Sequence, residues 1–427
     1  MLSYRQPGTV LRDLTFTVPL DHSEPGGEQL KLFAREVVAA DKLASDPPWL
    51  LYLQGGPGFG ANRPNGRDGW LDRALNEYRV LLLDQRGTGR SSPASRQTLA
   101  RFGTVREQAD YLAHFRADSI VADAELIRKQ LTGGRPWSVL GQSFGGFCVV
   151  TYLSFAPDGV REALVAGGLP GLDTTPDDVY RATYPIVAAR NRAHYDRYPQ
   201  DVKRARQVAQ YLAGNETLLP SGAPLTVRAF QSLGQALGSS AGSHELHYLL
   251  EDPFAAGELA DDFLYQVQSR LTFAGAPLYA VLHEACHAGT GPTDWAAERI
   301  RDEFPEFSAE AAVSGDDPLF FTGEMIYPWM FEADPVLRPL RRAANLLAQR
   351  DPWPPLYDAA RLAANDVPAA AAIYYDDMYV PLQYSARTGA AIRGLQAWVT
   401  NEHQHDGLRV SNGRVLDRLI ALARRAV

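Results

Sequence analysis

The first half of the chain contains short apolar runs in which hydrophobic and polar residues do not alternate. Three of them, at residues 49–53, 80–83 and 138–140, each end in a glycine-rich loop. Successive side chains of a strand point to opposite faces, so an unbroken apolar run is typical of a strand buried on both faces of a parallel sheet. Residues 119–131, between the second and third runs, have apolar positions at helical spacing. This succession of strand, loop and helix predicts an α/β fold.

The pattern changes twice further along the chain. An alternating segment before residue 40 predicts two strands around the Glu-Pro-Gly-Gly turn at 24–27. Predicted helices dominate from about 173 to 350, and they cover residues 177–193, 201–213, 259–271 and 294–304. Strand-like runs return at 369–375 and 394–400, followed by a predicted helix over 412–426. We interpret this as an α/β core, residues 1–172 and 351–427, split by a helical cap domain at 173–350.

Composition and charge narrow the classes of function. The 427 residues carry a net charge of −8 and no lysine/arginine block, which argues against a nucleic-acid partner. The two cysteines, Cys148 and Cys286, suit reduced thiols better than a disulfide scaffold. The first residues lack the apolar stretch of a secretory signal, and no run is long enough to span a membrane. The expectation is a cytoplasmic protein without a membrane partner.

Residues 141–145 read Gly-Gln-Ser-Phe-Gly and follow directly after one of the predicted strands. This is the pattern of a nucleophile elbow, in which a serine sits in a strained turn between a strand and a helix. The glycines leave space around the turn, so Ser143 is the predicted nucleophile. Residues 238–242 match the same pattern, but no strand precedes them, and we interpret them as a loop.

Three further segments fit the chemistry of an α/β-hydrolase fold. The glycine-rich loop at 54–60 follows a strand upstream of the elbow, where such a loop supplies a backbone N–H to an oxyanion hole. Two aspartates, Asp376 and Asp377, end the predicted strand at 369–375, and two histidines, His403 and His405, follow the next one. The order serine, aspartate, histidine is that of α/β-hydrolase triads. Either member of each pair suits the position.

A competing motif lies in the middle of the chain. Residues 283–287 read His-Glu-Ala-Cys-His and match the zincin pattern, in which His283 and His287 would bind zinc. Glycines and a proline at 289–292 interrupt the helix that a zincin would continue, and no third ligand follows at a recognisable spacing. We therefore expect no metal there, and a zinc metallopeptidase is the less favoured hypothesis.

Taken together, these motifs resemble the prolyl aminopeptidases (proline iminopeptidases) in their longer form with an enlarged cap. The family's His-Gly-Gly-Pro-Gly loop reads Gln-Gly-Gly-Pro-Gly at 54–58, and its Asp-Gln-Arg-Gly segment is unchanged at 84–87. The elbow at 141–146 also matches. The family's aspartate precedes a methionine, which favours Asp377, and its histidine stands just before the final helix, which favours His405.

The resemblance implies that the chain releases N-terminal proline from peptides without a cofactor. Ser143, Asp377 and His405 would form the triad, and the N–H groups of Gly56 and Phe144 would form the oxyanion hole.

Such an enzyme must also recognise the cationic N-terminus of its substrate. The cap residues Glu284 and Glu324 are the candidates for that task, because both stand in apolar and aromatic surroundings. An esterase or amidase on small acyl groups is the main alternative, and a non-catalytic binding module is a further one.

Overall fold

A computed structural model describes residues 2–289 and 291–426. Nine strands form one sheet in the order β1-β2-β3-β5-β4-β6-β7-β10-β11. They are β1 (Leu2–Gln6), β2 (Thr9–Pro19), β3 (Gln29–Ala39), β4 (Trp49–Leu53), β5 (Arg79–Asp84), β6 (Trp137–Gln142), β7 (Val160–Ala166), β10 (Ala369–Tyr374) and β11 (Gln396–Thr400). The strands from β5 to β11 run parallel, and β1 to β3 extend that sheet in antiparallel fashion. The predicted α/β-hydrolase fold is confirmed.

Two apolar layers explain why the central strands read as unbroken hydrophobic runs. Within β4, Leu51 and Leu53 pack into one cluster, and Leu50 and Tyr52 pack into another on the opposite face. Helices α4 (Ala117–Thr132) and α5 (Phe144–Phe155) contribute to the first cluster. Helices α1 (Gly69–Leu75) and α19 (Arg414–Ala423) contribute to the second. The sheet is therefore covered on both sides, as parallel sheets require.

The sequence analysis did not predict β7. Its residues Arg161 and Glu162 interrupt the apolar run that would have indicated a strand. Glu162 is nevertheless buried, because it accepts hydrogen bonds from Tyr78 and Ser138 and pairs with Arg424. A buried charge with several partners is tolerated inside a fold, although hydrophobic patterning cannot reveal it.

Residues 167–368 connect β7 to β10, and in their described part no strand joins the large sheet. A two-stranded ribbon, β8 (Phe254–Ala255) with β9 (Glu258–Leu259), lies in this segment. Its helices are α6 (Pro176–Arg197), α7 (Gln200–Gly214), α8 (Val227–Gln231), α9 (Gly242–Leu249), α10 (Asp261–Leu271), α11 (Pro277–Leu282), α12 (Ala296–Arg301), α13 (Ala309–Ser314), α14 (Met330–Ala333), α15 (Arg341–Ala348) and α16 (Ala359–Ala363). The exact domain boundaries at 172/173 and 350/351 stay a prediction.

The remaining helices belong to the segments around the sheet. They are α2 (Arg96–Leu99), α3 (Val105–Ala113), α17 (Leu382–Ala391) and α18 (Gly407–Val410). The predicted helices at 294–304 and 412–426 are shorter in the structure, as α12 and α19. Among the helices described, none has the length and hydropathy needed to cross a bilayer.

Candidate active site

Ser143 occupies a strained turn between β6 and α5. Its backbone φ is 56° and ψ is −127°, a conformation that residues other than glycine rarely adopt. A side chain at Gly145 would bring a Cβ within 1.9 Å of the Leu53 carbonyl oxygen, so α5 approaches the end of β4 as only glycine allows. The Ser143 side chain does not cap α5. This is the geometry of a nucleophile elbow.

A buried histidine and aspartate form the second part of the site. Nδ1 of His405 lies 2.7 Å from Oδ2 of Asp377. The other oxygen of Asp377 accepts hydrogen bonds from the backbone N–H groups of Tyr379 and Val380, at 2.9 and 3.0 Å. These bonds fix the carboxylate on the loop after β10. Asp377 is therefore held in place with one oxygen beside His405.

The neighbouring candidates lie in different settings. Asp376 is exposed, whereas Asp377 is 2% exposed. His403 is partly exposed and packs edge-on against Tyr374, at 6.4 Å between ring centroids. The structure thus brings Asp377 and His405 together, and their role as triad members stays a prediction.

Two glycines after β7 place the histidine beside the elbow. A Cβ on Gly168 would lie 2.2 Å from the Ser143 carbonyl oxygen, and a Cβ on Gly167 would lie 3.3 Å from Nδ1 of His405. Ser143 and His405 therefore flank the same two-residue turn. The parallel strands β6, β7 and β10 all end at this edge of the sheet, where open α/β sheets bind their ligands.

Burial and charge act on His405 in opposite directions. Burial alone would lower its pKa, but the Asp377 carboxylate, its hydrogen bond and the charge of Glu324 raise the pKa above the ordinary value. The ring also packs edge-on against Tyr379, with centroids 4.7 Å apart. A histidine with these neighbours is stabilised in the imidazolium form that a general base reaches after taking a proton.

The glycine-rich loop after β4 lies directly against the elbow. A Cβ on Gly55 would lie 2.8 Å from the Ser143 Cβ, so the loop backbone touches the serine. Gly56 follows with a φ of +134°, which favours glycine. Phe144 is the first residue of α5, and the first N–H groups of a helix have no partner within it. Both predicted donors, Gly56 and Phe144, thus stand next to Ser143.

The Asp-Gln-Arg-Gly segment supports this loop, a role that the sequence analysis did not assign. Asp84 is fully buried and accepts hydrogen bonds from the Ala61 N–H at 3.0 Å and from Arg63 at 2.5 Å. The Gln85 amide donates to the carbonyl of Gln54 at 3.0 Å. The sequence signal that could have indicated this role is the polar segment directly after the apolar run at 80–83. Its side chains hold both ends of the loop that carries Gly56.

The cap contacts the histidine loop through residues 232–240. The carbonyl oxygen of Gly238 accepts a hydrogen bond from the backbone N–H of His405 at 3.2 Å. The Ser240 hydroxyl donates to Asp406 at 2.7 Å, and the Tyr379 hydroxyl donates to the carbonyl of Gln235. Within the second Gly-x-Ser-x-Gly copy, residues 239–241 form a turn, as predicted, whereas Gly238 ends a 3₁₀ helix and Gly242 begins α9. This copy joins the cap to the loop that carries His405.

Glu324 lies close to these loops from the side of the cap. Its carboxylate accepts a hydrogen bond from the Tyr279 hydroxyl at 2.8 Å, and the Gln235 amide donates to the same hydroxyl at 2.9 Å. Glu324 is partly buried. Its charge also contributes to raising the pKa values of Tyr379 and His405, which places it within electrostatic reach of both.

Glu284 has a different environment. It is 6% exposed, and one carboxylate oxygen accepts a hydrogen bond from the Ala297 N–H at 2.9 Å, at the start of α12. The other oxygen, Oε2, is buried and has no hydrogen-bond partner among the described residues. Burial raises the pKa of Glu284 to about 7, although its hydrogen bonds oppose this shift. The carboxyl group thus supports α12, and its second oxygen is buried without a partner.

Comparison with known proteins identifies the family. The alpha/beta hydrolase fold family matches residues 48–242. A proline iminopeptidase of Aeromonas sobria is 52% identical over 410 residues, covering 96% of this chain and 95% of that protein. A proline iminopeptidase of Aspergillus aculeatus is 37% identical over 421 residues, covering 95% of this chain and 92% of that protein. This chain belongs to the proline iminopeptidase family.

The family expected from the motifs is thereby confirmed, and with it a hydrolase enzyme on an α/β-hydrolase fold. Solved structures align less closely with this member of the proline iminopeptidase family. An alpha/beta fold family hydrolase from Bacillus anthracis covers 98% of this chain and 99% of its own, at 12% identity and a TM-score of 0.43.

The zincin-like segment of this chain, residues 283–287, is not a continuous α-helix. Helix α11 ends at Leu282, and a 3₁₀ turn covers Glu284–His287. The His283 ring lies with Nε2 at 3.2 Å from the Glu324 carbonyl oxygen, and burial lowers the pKa of His287 to about 3. Within residues 2–289 and 291–426, no group of three or more potential ligands is arranged to hold a metal ion.

Proposed function

We propose that this protein is a serine exopeptidase that releases N-terminal proline from peptides. The observation that carries the proposal is the buried pair of His405 and Asp377 beside Ser143 in its strained turn. The two full-length relatives named proline iminopeptidase support the substrate class.

The mechanism follows from the positions of these groups. His405 takes the proton of the Ser143 hydroxyl through Nε2 while Asp377 stabilises the imidazolium at Nδ1. The serine oxygen attacks the prolyl carbonyl, and the N–H groups of Gly56 and Phe144 bind the resulting oxyanion. His405 then donates the proton to the leaving amine, which departs as the shortened peptide.

Water completes the cycle. His405 takes a proton from the water, and the resulting hydroxide attacks the prolyl ester of Ser143. The second tetrahedral intermediate collapses when His405 returns the proton to the serine oxygen, and free proline leaves. Each bond change is a proton or acyl transfer, so the proposed reaction uses no cofactor.

Recognition of the substrate N-terminus is assigned first to Glu324. A prolyl imino group is cationic at neutral pH, and its transfer into a partly buried site costs free energy unless a carboxylate pairs with it. Glu324 is partly exposed, and hydrogen bonds through Tyr279 and Gln235 link it to the Tyr379 ring that packs against His405. Glu284 is the second proposed partner, through the oxygen that lacks a hydrogen bond.

A panel of amino-acid arylamides tests this function. We expect rapid cleavage of the prolyl arylamide, much slower cleavage of other aminoacyl arylamides, and no cleavage after N-acetylation of the prolyl substrate. Equal activity on acetylated substrates, or activity confined to short acyl esters, would instead favour the esterase or amidase alternative. A cytoplasmic location, and the absence of nucleic-acid and membrane partners, remain predictions.

A further inference from the structure

The cap contains an apolar cavity next to the proposed active site. Its volume is about 630 Å³, within the range of about 300 to 1,000 Å³ that is typical of small-ligand sites. Cap residues between 219 and 235, 268 and 279, and 323 and 336 supply most of its walls. A single five-membered ring would leave most of this space empty, so the cavity is too large to serve the proline ring alone.

One wall of the cavity touches the loop that carries the proposed oxyanion donor. Phe59, from the α/β core, lines the cavity and is 41% exposed. A Cβ on Gly56 would lie 2.8 Å from the Phe59 ring, so this ring packs against the oxyanion loop. On its other side, Phe59 contacts Tyr279, with ring centroids 5.1 Å apart. Tyr279 donates its hydroxyl hydrogen bond to Glu324.

Two other features relate the cavity to a bound peptide. Gly323 and Met325, on either side of Glu324 in the chain, both line it. Ala274 and Gly275 also line the cavity and are exposed, so the cavity opens to solvent there. When the N-terminus of a peptide pairs with Glu324, the part of the peptide beyond the scissile bond must extend out of the site. This cavity offers that part an apolar route to the surface.

We infer that this cavity binds the apolar side chain of the residue that follows the N-terminal proline. The inference rests on the proposed function, because it concerns the leaving part of the same substrate. The expected ligand is a peptide with an aliphatic or aromatic second residue. Burial of one leucine-sized side chain would raise kcat/KM roughly 10- to 100-fold over a peptide with glycine at that position.

Gly275 allows this inference to be tested without disturbing the core. A Cβ at Gly275 would meet no atom within 4 Å, so Gly275→Phe can place a ring at the cavity wall. Proline release is measured from Pro-Leu-Gly amide and Pro-Gly-Gly amide. We expect wild type to prefer the leucine peptide by the stated factor. Gly275→Phe should reduce that preference to about 1 while cleavage of Pro-Gly-Gly amide continues.

Two further variants make the experiment decisive. Gly26→Phe, in the exposed turn between β2 and β3, also meets no atom within 4 Å and should keep the wild-type preference. Ala274→Phe repeats the test at the adjacent exposed position. Equal rates on both peptides for wild type, or a preference that survives both wall variants, would overturn the inference. If the wild-type protein released proline from neither peptide, the proposed function itself would be refuted.

Discussion

Glu324→Gln is the substitution that separates an aminopeptidase from a general serine hydrolase. Glutamine keeps the size of the side chain and an oxygen that can accept the 2.8 Å hydrogen bond from the Tyr279 hydroxyl. The negative charge alone is removed. A substrate with a cationic N-terminus should therefore lose a partner, whereas a neutral substrate should lose nothing at this position.

The size of the effect follows from the exposure of Glu324. Removal of one member of a desolvated charge pair costs about 2 to 5 kcal/mol. Glu324 is only partly buried, so solvent screens part of the interaction and the lower end applies. About 2 kcal/mol corresponds to a loss of roughly 30-fold in kcat/KM for the prolyl arylamide. For a neutral ester of similar size, kcat/KM at its pH plateau should change less than about twofold.

The pH profile gives a second, independent readout. The Glu324 charge helps to raise the pKa of His405, and a general base is active only in its neutral form. Loss of that charge lowers the His405 pKa, so the acidic limb of the kcat/KM profile should move to lower pH. This shift should appear with the neutral ester as well.

Glu332→Gln provides the matched control. Glu332 is an exposed cap carboxylate paired with Arg341 at 3.2 Å, and its neutralisation should leave both substrates and the pH profile unchanged. If Glu324→Gln reduced activity equally on the cationic and the neutral substrate, Glu324 would support the cap instead of binding the N-terminus, and the reasoning would be refuted.

Two further predictions concern His405 and Glu284. His405→Ala should reduce kcat by several orders of magnitude, and His403→Ala should reduce it only slightly; steady-state kinetics in which the larger loss fell on His403 would contradict the assignment. The pKa of Glu284 is raised from 4.5 to about 7, so the folded state binds its proton more tightly and stability falls as pH rises through that window. As pH rises, the free energy of unfolding measured with denaturant should fall by about 3 kcal/mol more for wild type than for Glu284→Gln. If the free energies of the two proteins changed with pH in parallel, the carboxyl would have an ordinary pKa.

The strands of the sheet could be predicted where burial on both faces produces an apolar run in the sequence. The runs that became β4, β5 and β6 are largely apolar because both faces of each strand meet a hydrophobic layer. Strand β7 escaped prediction because Glu162 is buried through pairing with Arg424, a contact between residues far apart in the chain. Hydrophobic patterning carries no information on such long-range pairs.

The candidate site could be predicted to a similar extent. The elbow around Ser143 has a local sequence signature, because strand, turn and helix are consecutive in the chain. The roles of Asp84 and Ser240 depend instead on partners that only the fold brings near, Ala61 in one case and Asp406 in the other. The same limit applies to Glu284, whose contact with the start of α12 depends on how the cap helices pack.

Comparison of wild type with Ser143→Ala tests the central claim most directly. Both proteins are incubated with a peptide that begins with proline, and free proline is quantified while circular dichroism confirms an unchanged fold. We predict that wild type releases proline and that Ser143→Ala retains less than about 1% of the turnover, because the hydroxyl starts the reaction and contributes little packing. Proline release by Ser143→Ala at more than a few per cent of the wild-type rate would contradict the serine mechanism.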